Sequence, residues 1–226
     1  MKITFTNTTG VYIEQPKPAN KLLPEWYKNT KSYMNDKKKP VTNGNTAVTI
    51  KRCIPVLDAL TSGYIILSPA DLYVEIKDGV QYFQWPSLSV IEFHPIAQAP
   101  SHPFRNEHDY PKWMNPWSIK TPKGYSTLFV QPFHRESVFT IFPGIVDTDI
   151  YTAPVNFPMT INDPNFEGLI PKGTPIAQVI PFKRQTWQME LGNKKELEEQ
   201  SDVLRKLNTM FFDKYKKMFW SKKEYK

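Results

Sequence analysis

Two carboxylates sit where an apolar stretch gives way to a polar bend, in Gly144-Ile145-Val146-Asp147-Thr148-Asp149-Ile150-Tyr151. An Asp at a strand end is partly shielded from water and can be hydrogen-bonded, the setting in which a carboxylate acts as general base toward water. Asp149 follows at the same-face spacing of an extended chain, so the two can share a proton or a cation. Tyr151 offers an aromatic surface beside them. Asp also closes tight turns on its own backbone, and that local role competes with the chemical one.

Other residue sets point to chemistry less directly. His134 and Arg135 form a polar pair inside the loop Phe133-His134-Arg135-Glu136-Ser137, a candidate anion site. His94, His102 and His108, with Glu107 and Asp109, bring imidazoles and carboxylates together. None of these pairs has the tight spacing of a helical or hairpin metal site, so no metal site is assigned and hydrogen-bonded histidines are expected. Cys53 is the one cysteine, which excludes an intrachain disulfide and a paired-Cys zinc site. Beside Ile54 it is expected to be a buried small hydrophobe.

The elements that must hold these groups read as mainly β. Pro is frequent (21 residues) and Gly scarce (9), a balance that suits short strands joined by rigid loops. Strands or hairpins are expected near 1–13, 47–56, 64–67, 72–76 and 80–85, with Asp78-Gly79 as a hairpin turn. Further strands are expected at 125–132 and 138–142, with apolar strands on either side of Gly173-Thr174-Pro175. Leu22-Leu23-Pro24-Glu25-Trp26-Tyr27 reads as a short helical turn whose aromatics pin an arm to the main body. Residues 90–117 hold Trp113, Trp117 and three of the four His, and read as an irregular insertion.

From Lys194 to Lys223 there is neither Pro nor Gly, and Leu197, Leu204, Leu207, Phe211, Tyr215 and Met218 recur at helical steps. One long amphipathic helix, about 45 Å, is expected there. The division is therefore an arm over 1–46, a β body over 47–190 with its insertion at about 90–120, and a basic helix over 191–226. The net charge of +7 gathers in Lys37-Lys38-Lys39 and the C-terminal lysines, and is read as a solvated face. No apolar run approaches the roughly 18 residues of a membrane span, and no signal peptide precedes the first strand. A cytoplasmic location, in a host cell or as part of a virion, is expected, with no membrane contact.

The central stretch resembles the trimeric dUTPase and dCTP deaminase superfamily. Gly-Ile-Val-Asp-x-Asp-x-Tyr, then Gly173-Thr174-Pro175-Ile176-Ala177-Gln178-Val179-Ile180, is similar to the family's Gly-Val-Ile-Asp-x-x-Tyr-x-Gly and Gly-Asp-x-Ile-Ala-Gln-Leu. The match covers about forty residues. The resemblance implies a dUTPase-like β-clip fold, a homotrimer and sites at subunit boundaries. It implies that Asp147 activates water, that Tyr151 packs under a sugar, and that Gln178, Arg135, Ser137 and His134 lie on the phosphate side. Magnesium is the cofactor the resemblance would bring. The N-terminal half, through Leu23-Pro24-Glu25-Trp26-Tyr27 and Lys51-Arg52-Cys53-Ile54-Pro55, resembles uncharacterised proteins of large tailed phages.

The chain also departs from that pattern. The phosphate-contacting loop lacks the Gly that lets backbone approach phosphate. One residue is inserted between Asp147 and Tyr151, and Thr152-Ala153-Pro154 replaces the Gly after the Tyr. Ser62-Gly63-Tyr64-Ile65 stands where the family's magnesium-associated Gly-Tyr-Asp falls, with Ile for Asp. A C-terminal helix stands in place of the Gly-rich arm. Three functions fit. The first is a divergent dUTPase-like binder of a nucleotide or other phosphate ligand, acting as a nucleotide pyrophosphatase if hydrolysis survives. The second is a non-enzymatic virion or assembly block built on the same trimer. The third is a nucleic-acid-associated factor using the basic helix.

Overall fold

The computed structural model describes residues 1–34, 48–103, 108–208 and 215–226. The expected lysine-rich loop, Glu107, and the helix positions Phe211, Phe212 and Lys214 lie outside the described residues. The chain forms two compact units. One comprises Met1–Lys28, Leu60–Arg184 and Tyr225–Lys226; the other comprises Asn29–Ala59 and Gln185–Glu224.

The first unit is the β body. Strand β1 (Thr4–Asn7) is followed by the two-residue β2 (Lys17–Pro18) and the short helix α1 (Glu25–Asn29), whose first four residues close the N-terminal piece. Then come β3 (Tyr64–Leu67), β4 (Leu72–Lys77) and β5 (Val80–Gln84). Asp78 and Gly79 have φ of 52° and 77°, the paired positive values that a two-residue turn needs to match strand twist, and β4 and β5 pair as the hairpin the sequence predicts. The body continues through β6 (Ile91–His94), β7 (Tyr110–Trp113), β8 (Trp117–Lys120) and β9 (Tyr125–Val130). It ends with β10 (Phe139–Ile141), β11 (Gly144–Val146), β12 (Phe157–Ile161), β13 (Gly168–Ile170) and β14 (Pro175–Lys183).

The sheet that carries the carboxylate turn runs β11-β9-β14-β3-β2. Its strands pair antiparallel, with Gln178 of β14 opposite Val130 of β9 and Lys183 opposite Tyr125. β3 closes against β14 because Gly63 precedes it: a Cβ there would sit 1.9 Å from the Val179 carbonyl oxygen. A second sheet runs β10-β12-β7-β6, and a third β13-β4-β5. Their inner faces share one core that includes Ile66, Val74, Trp113, Phe129, Phe139, Met159 and Val179. The fold is mainly β, as the sequence predicts.

Residues 90–120 are not an irregular insertion. They contribute β6, β7 and β8, and Trp113 and Trp117 are buried in the core. Pro95 precedes the 3-10 turn Ile96–Gln98, and Pro111 stands within β7 opposite Phe93 of β6, so proline did not exclude a strand here. The N-terminal piece is pinned as expected: Tyr27 is buried, and the Trp26 indole N–H donates to the His134 carbonyl at 2.7 Å.

In the second unit, the strand expected over 47–56 is, among the described residues, a single bridge of Val48 to Tyr33 followed by helical structure. A 3-10 turn at Ile50–Arg52 is capped by Thr49, whose hydroxyl oxygen accepts from Lys51 N–H. It leads into α2 (Ile54–Thr61), whose last residues pass into the first unit. The Ile54, Leu57, Leu60 spacing is a helical stripe, and Pro55 stands in the first turn, where its missing N–H costs nothing. Cys53 is exposed rather than buried, because it lies just outside the helical stripe.

The C-terminal helix α3 spans Lys194–Asn208 and is shorter than expected among the described residues; a π-helical turn covers Tyr215–Phe219. α3 opens on a reciprocal cap: Asn193 Oδ1 accepts from Lys195 N–H, and Glu196 accepts from Asn193 N–H. Leu197 and Leu204 on its apolar stripe are exposed. Also in this unit, Asp58 accepts from both the Trp220 indole and Lys223. Among the described residues no helix is long and apolar enough to cross a membrane.

Candidate functional site

Asp147 begins the turn that β11 runs into. Its carbonyl accepts from the N–H groups of Ile150 and Tyr151, closing one turn of backbone. Thr148, at the middle of the bend, is fully buried. Its hydroxyl lies 2.8 Å from that of Thr121 and 2.7 Å from that of Thr127. This chain of buried hydroxyls fixes the centre of the turn, so the carboxylates on either side have defined positions.

Both carboxylates meet one guanidinium, that of Arg184, just past the end of β14. Asp149 is held in bidentate fashion: Nη1 donates to Oδ1 at 2.7 Å and Nη2 to Oδ2 at 2.6 Å. Gly124 N–H adds a bond to Oδ2 at 2.7 Å. The Asp149 side chain is 4% exposed, and these donors are why burial does not neutralise it. The hydrogen bonds from Arg184, then the one from Gly124, hold its pKa down at about 2. The Asp149 carboxylate in turn raises the pKa of Arg184.

Asp147 differs. Its Oδ1 accepts from the buried Ser126 hydroxyl at 2.6 Å and lies 3.1 Å from Arg184 Nη1. Half of its side chain is open to solvent, and Tyr151 on the same turn is also exposed. The turn thus presents one carboxylate and one phenol outward while the second carboxylate is spent on its counter-ion. The two Asp residues share the Arg184 guanidinium, a side-chain counter-ion that the sequence reading did not assign.

Gln178 takes no outward position. It is fully buried on the central strand of its sheet, where its Oε1 accepts from Phe133 N–H at 3.0 Å and its Nε2 donates to the Ser62 carbonyl at 2.7 Å. The amide staples the loop after β9 to the turn before β3. Ser137 accepts from Phe139 N–H through Oγ, and its carbonyl takes the Asn162 amide. Arg135 donates to the Leu22 carbonyl, and partial burial pulls its pKa down.

The His134–Arg135 loop nevertheless has the makings of an anion site. His134 is exposed with φ of 52°, a left-handed conformation that few non-Gly residues adopt. Phe133 and His134 form a tight turn between Pro132 and Arg135, and the backbone N–H groups of His134 and Glu136 make no hydrogen bond to a described residue. Backbone amides around a left-handed residue can form a concavity that accepts anions. Trp26, Phe133, His134, Arg135 and Thr140 line a cleft of about 690 Å³ at this point.

The structure therefore brings Asp147, Asp149 and Tyr151 together, and separately His134, Arg135 and Ser137, with Gln178 beneath the second group. The two groups lie at opposite ends of the β9-β14 ladder. Ser126 and Val130 alone are separated by roughly 13 Å of strand, and each group lies at or beyond one of them.

Neither the Ser62-Gly63-Tyr64-Ile65 segment nor Asp149 fits a magnesium ion. Ser62-Gly63-Tyr64-Ile65 has no carboxylate, and its Ser62 carbonyl is bonded to Gln178. Both Asp149 oxygens are committed to Arg184 and Gly124. Elsewhere, His102 stacks on Phe142 at 4.0 Å and Asp109 accepts from Ile96 N–H; among the described residues no group of three metal-ligating side chains gathers.

Ser126 and Arg184 are the contacts that sequence reasoning missed. Two acidic residues on one bend require a compensating cation, and the basic Lys183-Arg184 at the end of the partner strand is where that requirement could have been traced.

No protein family matches the chain, and no curated protein matches it. Among solved structures, a variant dUTPase of Staphylococcus bacteriophage 80alpha with dUpNHpp is 11% identical over 85% of this chain and 89% of its own, with a TM-score of 0.38. A second variant of that dUTPase, also with dUpNHpp, is 11% identical over 85% and 97%, with a TM-score of 0.36. A variant dUTPase from phage phi11 of S. aureus, described with a structural Mg(II) ion, is 13% identical over 74% and 96%, with a TM-score of 0.33. The chain is similar to these phage dUTPases at this low identity and TM-score, a likeness that assigns it no activity.

Proposed function

We propose that the protein binds a nucleotide or related phosphate-bearing ligand at a boundary between copies of itself, as a divergent dUTPase-like homotrimer. The carboxylate turn of one copy would face the sugar side through Asp147 and Tyr151. The His134–Arg135 loop of the next would receive the phosphate through its free amides, with Ser137 at its rim. The observation that carries the reading is the left-handed turn at His134, whose N–H and that of Glu136 are unused within the fold and open on the cleft lined by Trp26, Phe133 and Arg135.

The groups available for hydrolysis are fewer. Asp147 keeps an open oxygen and can accept a proton from water, so it is the one candidate base. Asp149 is excluded by its pair with Arg184. Binding is thus favoured over turnover, and any turnover would be pyrophosphate release from a nucleoside triphosphate. Incubation with dUTP and dCTP, with and without magnesium, together with calorimetry against the same nucleotides, tests this. Binding that is weakened tenfold or more, but still measurable, in Arg135→Ala and in Asp147→Asn supports it; no binding of any nucleotide refutes it.

The exposed Ile145 and Ile150 favour a second reading, assembly without a ligand. They sit on or beside β11, an edge strand whose outer hydrogen-bonding groups are unpaired within the sheet. A trimer in sedimentation that binds no nucleotide would select it.

A further inference from the structure

We propose that Arg184 is a positioning residue that presents Asp147 to the ligand, with Asp149 as the fixed anchor of that clasp. The inference rests on the preceding reading that Asp147 is the ligand-facing carboxylate. Four acceptors lie within 3.2 Å of Arg184 Nη1, which shares its two hydrogens among them: Asp149 Oδ1, the Tyr125 carbonyl at 3.1 Å, the Ser126 hydroxyl oxygen at 3.2 Å, and Asp147 Oδ1 as an ion-pair partner. Nη2 is committed to Asp149 Oδ2. A planar guanidinium bound through both outer nitrogens to one buried carboxylate cannot swing, so the edge it offers to Asp147 is set by the Asp149 pair.

Both donors that reach Asp147, the Ser126 hydroxyl and Arg184 Nη1, go to the same oxygen. Holding Oδ1 from two sides fixes the carboxylate plane and leaves Oδ2 as the one acceptor facing outward. The division of labour follows. Asp149 and Arg184 never touch the ligand, yet they decide which oxygen of Asp147 does. The ligand group opposite Oδ2 must be a hydrogen-bond donor, a hydroxyl or a water, because an anionic oxygen there would face a carboxylate.

A thermodynamic cycle tests this, with dUTP as the calorimetric probe and dCTP as its alternative. Arg184→Met is expected to weaken binding at least tenfold in the wild-type background and to have no further effect in the Asp147→Asn background, because Arg184 acts through Asp147. Arg184→Lys, which keeps a charge but cannot bridge both carboxylates, is expected to recover only part of the loss. Ser126→Ala, which removes the other donor to Oδ1, should also be silent in the Asp147→Asn background and keeps the test intact if Arg184→Met fails to fold. Multiplicative losses in the cycle, or wild-type affinity in Arg184→Met, would overturn the positioning role while leaving the binding function standing. If the wild type binds neither nucleotide, the binding function falls and the inference falls with it.

Discussion

The bidentate pair between Asp149 and Arg184 makes acid the sharpest probe of the carboxylate turn. The folded-state pKa of Asp149, about 2, lies below the value of about 3.9 for an unpaired Asp. A depressed carboxylate contributes stability that is complete above its unfolded pKa and disappears as pH falls through its folded one. Thermal midpoints should therefore drop more steeply between about pH 4 and pH 2 in the wild type than in Asp149→Asn. Parallel curves would mean that the pair contributes nothing. Gly63 provides a second test at this scale. Its φ is 70°, and an added methyl would meet the Val179 carbonyl, so Gly63→Ala should lower unfolding free energy by more than about 2 kcal/mol in denaturant titrations.

Among the elements, β14 joins the two halves of the proposed site because its ends reach both. Gln178 is the test of how it does so. As a staple between Phe133 N–H and the Ser62 carbonyl, its replacement by Ala strands two buried polar groups and should destabilise the body by about 2–4 kcal/mol. A residue whose work was to touch a ligand would leave stability unchanged and alter only affinity. The signal for the staple was present in the sequence: an amide inside the run Ile176-Ala177-Gln178-Val179-Ile180 must be satisfied internally if the strand is central. The resemblance to a phosphate-side Gln drew the reading outward instead. The β4-β5 hairpin was legible because Asp78-Gly79 dictates a local turn. The 50–61 region was not, because β-branched residues suggested a strand while the spacing of Ile54, Leu57 and Leu60 suited a helix, and spacing prevailed. At the start of α3, Asn193→Ala should cost about 1 kcal/mol, read from the helix signal on heating, since it removes the side-chain oxygen that accepts from Lys195 N–H.

At the scale of the whole molecule, the sequence carried the class of fold and the motif that marks the turn, but not the separation of the two half-sites. That separation is long-range geometry. It depends on the antiparallel register of β9 and β14, which puts Lys183 beside Tyr125 and Gln178 beside Val130, and no local pattern encodes it. Two half-sites on one ladder can be completed when copies of the chain associate around an axis, each giving its turn to one neighbour and its loop to the other. The direct measurement is complementation. Asp147→Asn and Arg135→Ala chains, each weakened tenfold or more in nucleotide binding alone, are co-expressed and the mixed oligomer is titrated by calorimetry. Random mixing should restore roughly a quarter of the wild-type sites, at wild-type affinity, because one boundary in four receives an intact turn from one chain and an intact loop from the other. A mixture that binds no better than either variant would contradict a shared site.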